Sequence, residues 1–228
     1  MKRKVLITGG MGFVGGRLAQ LLTAKGNSEL VLGSRIKHTS LSWLPKAKSI
    51  AMDFNSEQSL LFACQGIDAV VHLAAMNDNE CLNDPTAALQ SNVVNTARLV
   101  EAAKVSSVKR IIYLSTAHIY SPNLIGSIDE TTLPKGLHPY ATSHRAAEDV
   151  VLAAANNDID SIVMRLSNSF GVPSHTNVNV WMLLVNDLCR QAVTSKLMVM
   201  RSSGLQQRDF ITLDDVTRAI DHMLNLPK

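Results

Sequence analysis

The sequence predicts an α/β fold built on a doubly wound parallel sheet, with a small C-terminal region facing a substrate. Three observations predict it. Short runs of Val, Ile and Leu alternate with longer segments of helical periodicity. The runs are apolar almost without interruption, as in strands covered on both faces of a parallel sheet. The first run passes directly into a glycine-rich turn and a helix, so the chain opens with crossover connections rather than hairpins.

In order, strands are expected at Lys4–Thr8, Leu30–Leu32, Ser49–Met52, Ala69–Leu73, Arg110–Ser115 and Ser161–Leu166, and helices at Phe13–Lys25, Glu57–Cys64, Pro85–Lys104 and Pro139–Asn156. Asp84-Pro85 reads as an N-cap followed by proline at the first helical position, where a missing N–H costs nothing. Thr212-Leu213-Asp214-Asp215 reads as a capping box opening a last helix through Leu224. From about Ser167 to Asn179 the pattern loosens into Asn, Ser, Gly, Pro and Thr. A division follows: a core domain over 1–166 and a small substrate-binding region over 167–228.

Composition narrows the class. With 228 residues, 46% hydrophobic and 18% charged, the chain can bury one sizeable core and has an ordinary globular balance. A net charge of +3 leaves no basic footprint, so no nucleic-acid partner is expected. Cys64, Cys81 and Cys189 are scattered and the seven histidines show no paired-ligand spacing, which argues against disulfides and a metal site. Lys2-Arg3-Lys4 before Val5-Leu6-Ile7 has the opening of a secretory leader, but Gly9, Gly10, Gly12, Gly15 and Gly16 break the apolar run. No stretch reaches the roughly 18 apolar residues of a membrane span. A cytoplasmic protein without membrane partners is the expectation.

The turn Thr8-Gly9-Gly10-Met11-Gly12-Phe13-Val14-Gly15 carries the first chemistry. Its glycines follow a GxxGxxG spacing, slightly different from GxGxxG, with the same physical logic. Gly9 permits the turn, Gly12 lets the backbone approach a pyrophosphate, and Gly15 lets helix and strand pack closely. Phe13 and Val14 open the helix, whose N-terminal amides and dipole suit phosphate. A Rossmann dinucleotide site is expected there. In Leu30-Val31-Leu32-Gly33-Ser34-Arg35 no acidic residue ends the second strand to hold a ribose 2′-hydroxyl, while Arg35 and Lys37 lie just beyond. A guanidinium there suits a 2′-phosphate, so NADP is favoured slightly over NAD.

These residues resemble the extended short-chain dehydrogenases, the NAD-dependent epimerase/dehydratase family. Asp53-Phe54 resembles the acid that contacts adenine and its neighbour. His72-Leu73-Ala74-Ala75 resembles the strand lining the cofactor, with Leu73, Ala74 and Ala75 against it. Asp84-Pro85 and Asn92-Val93 resemble the dP…Nv segment of the following helix, which implies that Asn92 lies at the cofactor. Leu114-Ser115-Thr116-Ala117-His118-Ile119-Tyr120 is similar to SSxxvYG and places the catalytic Ser/Thr at Thr116. Arg165–Pro173 resembles RxxNvyGP and Arg208–Val216 resembles RDFiyVdDv. By this resemblance Asn168 and Arg208 contact the diphosphate or sugar of a nucleotide sugar. The chain ends soon after the last motif, so the resemblance implies a shortened substrate-binding region.

The family's YxxxK appears here as Tyr140-Ala141-Thr142-Ser143-His144. Tyr140 and His144 are four apart on a helical pattern and share a face. The resemblance makes Tyr140 the general acid/base, Thr116 the group that holds the substrate oxygen, and position 144 the holder of the nicotinamide ribose. A phenol with a pKa of ~10 is a poor base at neutral pH, and a neutral imidazole depresses it far less than a lysine would. Without the motif, His144 reads as an exposed helix histidine.

The implied activity is NAD(P)-dependent epimerisation, dehydration or reduction of a nucleotide sugar. The alternative, favoured by His144, is a catalytically weak NADP-binding regulatory module. The apolar stripes of the Pro85–Lys104 and Pro139–Asn156 helices suit a homodimer face or the core equally, and sedimentation decides between them.

Overall fold

The computed structural model describes residues 2–227 apart from 39, 121–125, 157 and 201. Six parallel strands form one sheet in the order β3-β2-β1-β4-β5-β6: β1 (Arg3–Thr8), β2 (Ser28–Ser34), β3 (Lys48–Ala51), β4 (Ala69–His72), β5 (Arg110–Thr116) and β6 (Asp160–Leu166). The order reverses between β1 and β4, and in such sheets ligands bind where the carboxyl ends of the strands part. Registers such as Thr8↔Gly33, Thr8↔His72 and His72↔Tyr113 bring the ends of β1, β4 and β5 to one edge.

Strand alternation sorts the core into two layers. Leu6, Val70, Ile111 and Tyr113 face α2 (Glu57–Cys64), α5 (Asn95–Val105) and α6 (Pro139–Ala153), where Leu60, Leu99, Ala147 and Val151 pack against them. Val5, Ile7, Leu32, Val71 and Ile112 face the other way. They meet Leu18 and Leu22 of α1 (Phe13–Lys25) and Val216, Ile220 and Leu224 of α8 (Leu213–Asn225). The last helix, predicted from its cap, thus covers the main sheet. Thr212 caps it by accepting from the Asp215 amide, but Asp215 receives the Thr212 proton instead of returning to the backbone, so the predicted box is only half formed. Among the described residues no helix is long and apolar enough to cross a membrane.

Several elements depart from expectation. The helix predicted over Pro85–Lys104 is α4 (Pro85–Ala88) and α5 joined through a six-residue π-helical segment, Leu89–Val94. A single π-helical segment within a helix carries no composition signal of its own, so the sequence reads as one continuous helix. A short helix, α3 (Asp78–Asn83), precedes it on a full capping box between Asn77 and Glu80. The helix predicted to Asn156 stops at Ala153, because Asn156 turns its side chain to the amides of Asp158 and Ile159. Beyond β6, β7 (Asn168–Phe170) and β8 (Phe210–Thr212) pair in parallel, with α7 (Leu184–Thr194) between them. Three-residue strands and a helix set among polar turns leave little periodicity to read.

Candidate active site

Gly9 and Gly15 are where the turn requires glycine. Gly9 has φ +65°, and a Cβ there would lie 3.0 Å from the Ala74 amide nitrogen, in the chain leaving β4. A Cβ on Gly15 would lie 2.4 Å from the Gly9 carbonyl oxygen, so any larger residue pushes α1 off the turn. Gly12 is the N-cap of α1 and donates no side-chain cap, and the first turn holds no acidic residue. The amides of Phe13, Val14 and Gly15 begin a helix whose positive end is neither capped nor neutralised, which is the physical requirement for a phosphate cradle.

A run of buried hydrogen bonds ties this turn to the next elements. The Thr8 hydroxyl accepts from the amides of Leu73 (3.1 Å) and Ala74 (3.2 Å) and meets Nδ1 of His72 at 2.6 Å. His72 Nε2 is 3.0 Å from the Thr96 hydroxyl, which donates to the Asn92 carbonyl at 2.6 Å. Since that proton is engaged, His72 must donate from Nε2 and accept the Thr8 proton at Nδ1. Burial accordingly holds the His72 imidazole neutral, down at about 3.

Asn92, on the π-helical segment, takes the Met76 amide at 2.8 Å and donates to Ser143 Oγ at 3.0 Å. Ser143 in turn donates to the Tyr140 carbonyl. Asn92 is fully buried, with both ends of its amide engaged. It therefore ties the Leu73–Met76 segment to α6. Thr96 was not singled out from sequence, and Thr8, His72 and Ser143 stood there only as members of motifs, with no role of their own. The available signal was a polar residue closing an otherwise apolar strand, as Thr8 does after Ile7 and His72 after Val71.

Thr116, Tyr140 and His144 come together at the end of β5 and the start of α6. Thr116 lies near enough to the Tyr140 phenol to favour its ionised form, and its hydroxyl caps the short turn after β5 by accepting from the His118 amide. The Tyr140 and His144 rings are 4.5 Å apart and nearly edge to face. Burial pushes the Tyr140 hydroxyl up to about 12, against the opposing pull of Thr116. His144 is buried, not exposed, with 2% of its surface accessible. Burial holds its imidazole down at about 4, although the Glu148 carboxylate one turn on favours the charged form. Nδ1 of His144 is 2.8 Å from the Tyr113 phenol, while Nε2 is buried with no partner among the described residues.

The two buried histidines give stability a pH dependence. Their folded values lie below the ordinary 6.5, so the unfolded chain takes up protons that the folded chain refuses. The stability they contribute is present above about pH 6.5 and is lost as the pH falls toward about 4. Thermal unfolding is expected at a clearly lower temperature near about pH 5 than at neutral pH. A flat profile over that window would contradict the burial of neutral imidazoles.

The remaining predicted positions are more open. Asp53 is exposed and its carboxylate accepts from the Asn55 amide in a turn, while the Phe54 ring lies 6.1 Å from that of His72. Leu73 and Ala74 are partly exposed and Ala75 exposed, directly after β4. Arg35 is exposed just past β2 and forms no ion pair among the described residues. A cleft of about 1780 Å³ opens at the start of α6 and is lined by His118, His138, Pro139, Asn168 and Arg208 among others. Asn168 donates its side-chain amide to the Asp209 carbonyl, tying β7 to the strand before α8. Arg208 is exposed and rests on Gln206.

A family model described as the NAD dependent epimerase/dehydratase family matches residues 5–228. The chain is 28% identical, over 97% of its length, to a dTDP-D-glucose 4,6-dehydratase of Dictyostelium discoideum and spans 55% of that protein. It is 26% identical, over 93% of its length, to a UDP-glucuronate 4-epimerase of Thermodesulfobacterium geofontis and spans 69% of it. Of solved structures, MoeE5 in complex with UDP-glucuronic acid and NAD is 28% identical with a TM-score of 0.84, covering 99% of this chain and 73% of that one. A UDP-glucuronic acid 4-epimerase from Bacillus cereus, in complex with UDP-glucuronic acid and NAD, is 25% identical with a TM-score of 0.82, covering 99% of this chain and 74% of that one.

Proposed function

The chain belongs to the NAD-dependent epimerase/dehydratase family, and from that premise we propose that it is an NAD(P)-dependent oxidoreductase of the epimerase/dehydratase type acting on a nucleotide sugar. The observation that carries this reading is the buried, unpartnered Nε2 of His144 beside the Thr116–Tyr140 pair. The uncapped helix end at the glycine turn adds a phosphate cradle. These features fit a dinucleotide: Gly9–Gly15 would hold its diphosphate, Leu73–Ala75 would line it, and His144 would reach a ribose hydroxyl. The nicotinamide ring, when bound, supplies the acceptor or donor of a hydride.

The chain's own residues then handle the proton. Tyr140 gives a proton to a sugar carbonyl oxygen or takes one from a hydroxyl, and Thr116 holds that oxygen by hydrogen bonding. The cleft receives the sugar nucleotide, with the Arg208 guanidinium suited to its diphosphate and Asn168 to the sugar. The nucleotide sugars named in the similar structures support this substrate class.

Titration of UDP-glucose, UDP-glucuronic acid and dTDP-glucose against the wild-type chain and Arg208→Ala tests the placement. Loss of one charged hydrogen-bonding group is expected to weaken binding by about tenfold or more. Unchanged affinity would remove Arg208 from the site.

A further inference from the structure

Tyr113 lies in β5 with 1% of its surface exposed, its ring 5.6 Å from that of His72 and 5.7 Å from that of His144. As a packing group it could be replaced by phenylalanine. What its hydroxyl adds is a proton on a defined side of the neighbouring imidazole, 2.8 Å from Nδ1 of His144.

A neutral imidazole carries one proton on one of two nitrogens, and its neighbours select which. Two arrangements fit the 2.8 Å contact. If Nδ1 carried the proton and donated to the phenol oxygen, the phenol proton would lack an acceptor and the bare Nε2 would lack a donor. Both are buried, so two polar groups would be orphaned. If the phenol donates to Nδ1, the ring proton sits on Nε2 and only that one donor lacks a partner. Leaving a buried polar group unsatisfied is costly, so the second arrangement is preferred.

We propose that Tyr113 is a positioning residue for the dinucleotide site: it donates its phenolic proton to Nδ1 of His144 and fixes the Nε2–H tautomer, keeping one buried donor for a sugar hydroxyl oxygen of the cofactor. The ligand rests on the dinucleotide reading above, whereas the tautomer does not. The pairing of Tyr113 with His144 has a physical reason. A lysine ammonium carries three donors that rotate to suit a hydroxyl, but an imidazole has a single N–H in a fixed plane and needs a neighbour to choose the nitrogen. The ionisable groups around His144 are Tyr113 and His72 from the sheet, Tyr140 and Glu148 from α6, and His118 from the turn after β5. Glu148 is bound by Arg165 and Arg145. Burial lowers the imidazole further, which keeps the ring neutral at the pH of the measurement.

Ring nitrogen and carbon chemical shifts of His144 read the tautomer in the full chain without added ligand, assigned by the resonances lost in His144→Gln. The expected result is Nε2–H in the wild type and a mixture of tautomers in Tyr113→Phe. Titration with NAD is expected to show about tenfold weaker binding by that variant. An Nδ1–H signature in the wild type overturns the proposal, as does a Tyr113→Phe variant with unchanged tautomer and affinity. Should Tyr113→Phe fail to fold, the wild-type signature alone decides. A wild-type chain that shows Nε2–H but binds neither NAD nor NADP supports the tautomer and overturns its ligand.

Discussion

Replacing Tyr140 by phenylalanine is expected to lower turnover by about a hundredfold to ten-thousandfold while leaving dinucleotide affinity nearly unchanged. The ring keeps its edge-to-face contact with His144 and its place at the start of α6. What is lost is the phenol hydroxyl near Thr116, the group proposed to move the proton. Steady-state rates on the nucleotide sugar, with affinity for the dinucleotide measured separately, check this split. A variant that retains turnover would take the proton transfer away from Tyr140. His118, whose ring lies 6.1 Å from that of Tyr140 on the cleft side, would then be the next group to test.

The second large effect is expected from His144→Lys. Tyr140 titrates at about 12 and His144 is neutral down to about 4, so neither group supplies a phenolate or a nearby cation at neutral pH. A cation placed within about 4–6 Å lowers an acid by about 1–3 units. Each unit raises the phenolate fraction at a given pH about tenfold. The pH optimum of kcat is therefore expected to move toward acid by about one unit or more, with turnover near neutrality rising by about tenfold or more. Glu148, one turn along α6, offers the new ammonium a compensating charge. The pH–rate profiles of wild type and variant check the effect, and identical profiles would remove position 144 from the proton chemistry.

What the sequence discloses here depends on the range of the interactions involved. The glycine turn was legible because Gly9 and Gly15 answer to steric limits set within a few residues and by the adjoining strand. The doubly wound sheet was legible because Val, Ile and Leu fill strands covered on both faces. The spacing from Tyr140 to His144 also foretold that the two rings would meet. Burial of His144 was not legible: it follows from packing α6 on β5, where Tyr113 lies 31 positions before His144 and reads in sequence as one more aromatic in a core strand. The same holds for His72, whose tautomer depends on Thr8 and Thr96, 64 and 24 residues away. Nor were the partners of Asn92 legible, since Met76 and Ser143 lie 16 and 51 residues away.

Which dinucleotide the site takes is open to a direct reading. The proposed role of Arg35, exposed past β2 where no carboxylate ends the strand, is to hold a 2′-phosphate, while the similar structures named above hold NAD. Trp43 is a built-in reporter, because it stacks at 4.9 Å on His175, which reaches the Met11 carbonyl in the glycine turn.

The most direct measurement is therefore titration of the purified chain with NAD and with NADP, followed by tryptophan fluorescence, and then addition of UDP- and dTDP-sugars with product analysis. The account predicts saturable binding of a dinucleotide, tighter for NADP through Arg35, and slow conversion of a nucleotide sugar that speeds up as the pH rises. Tighter binding of NAD would return Arg35 to the solvent, and no saturable binding of either dinucleotide would contradict the site itself.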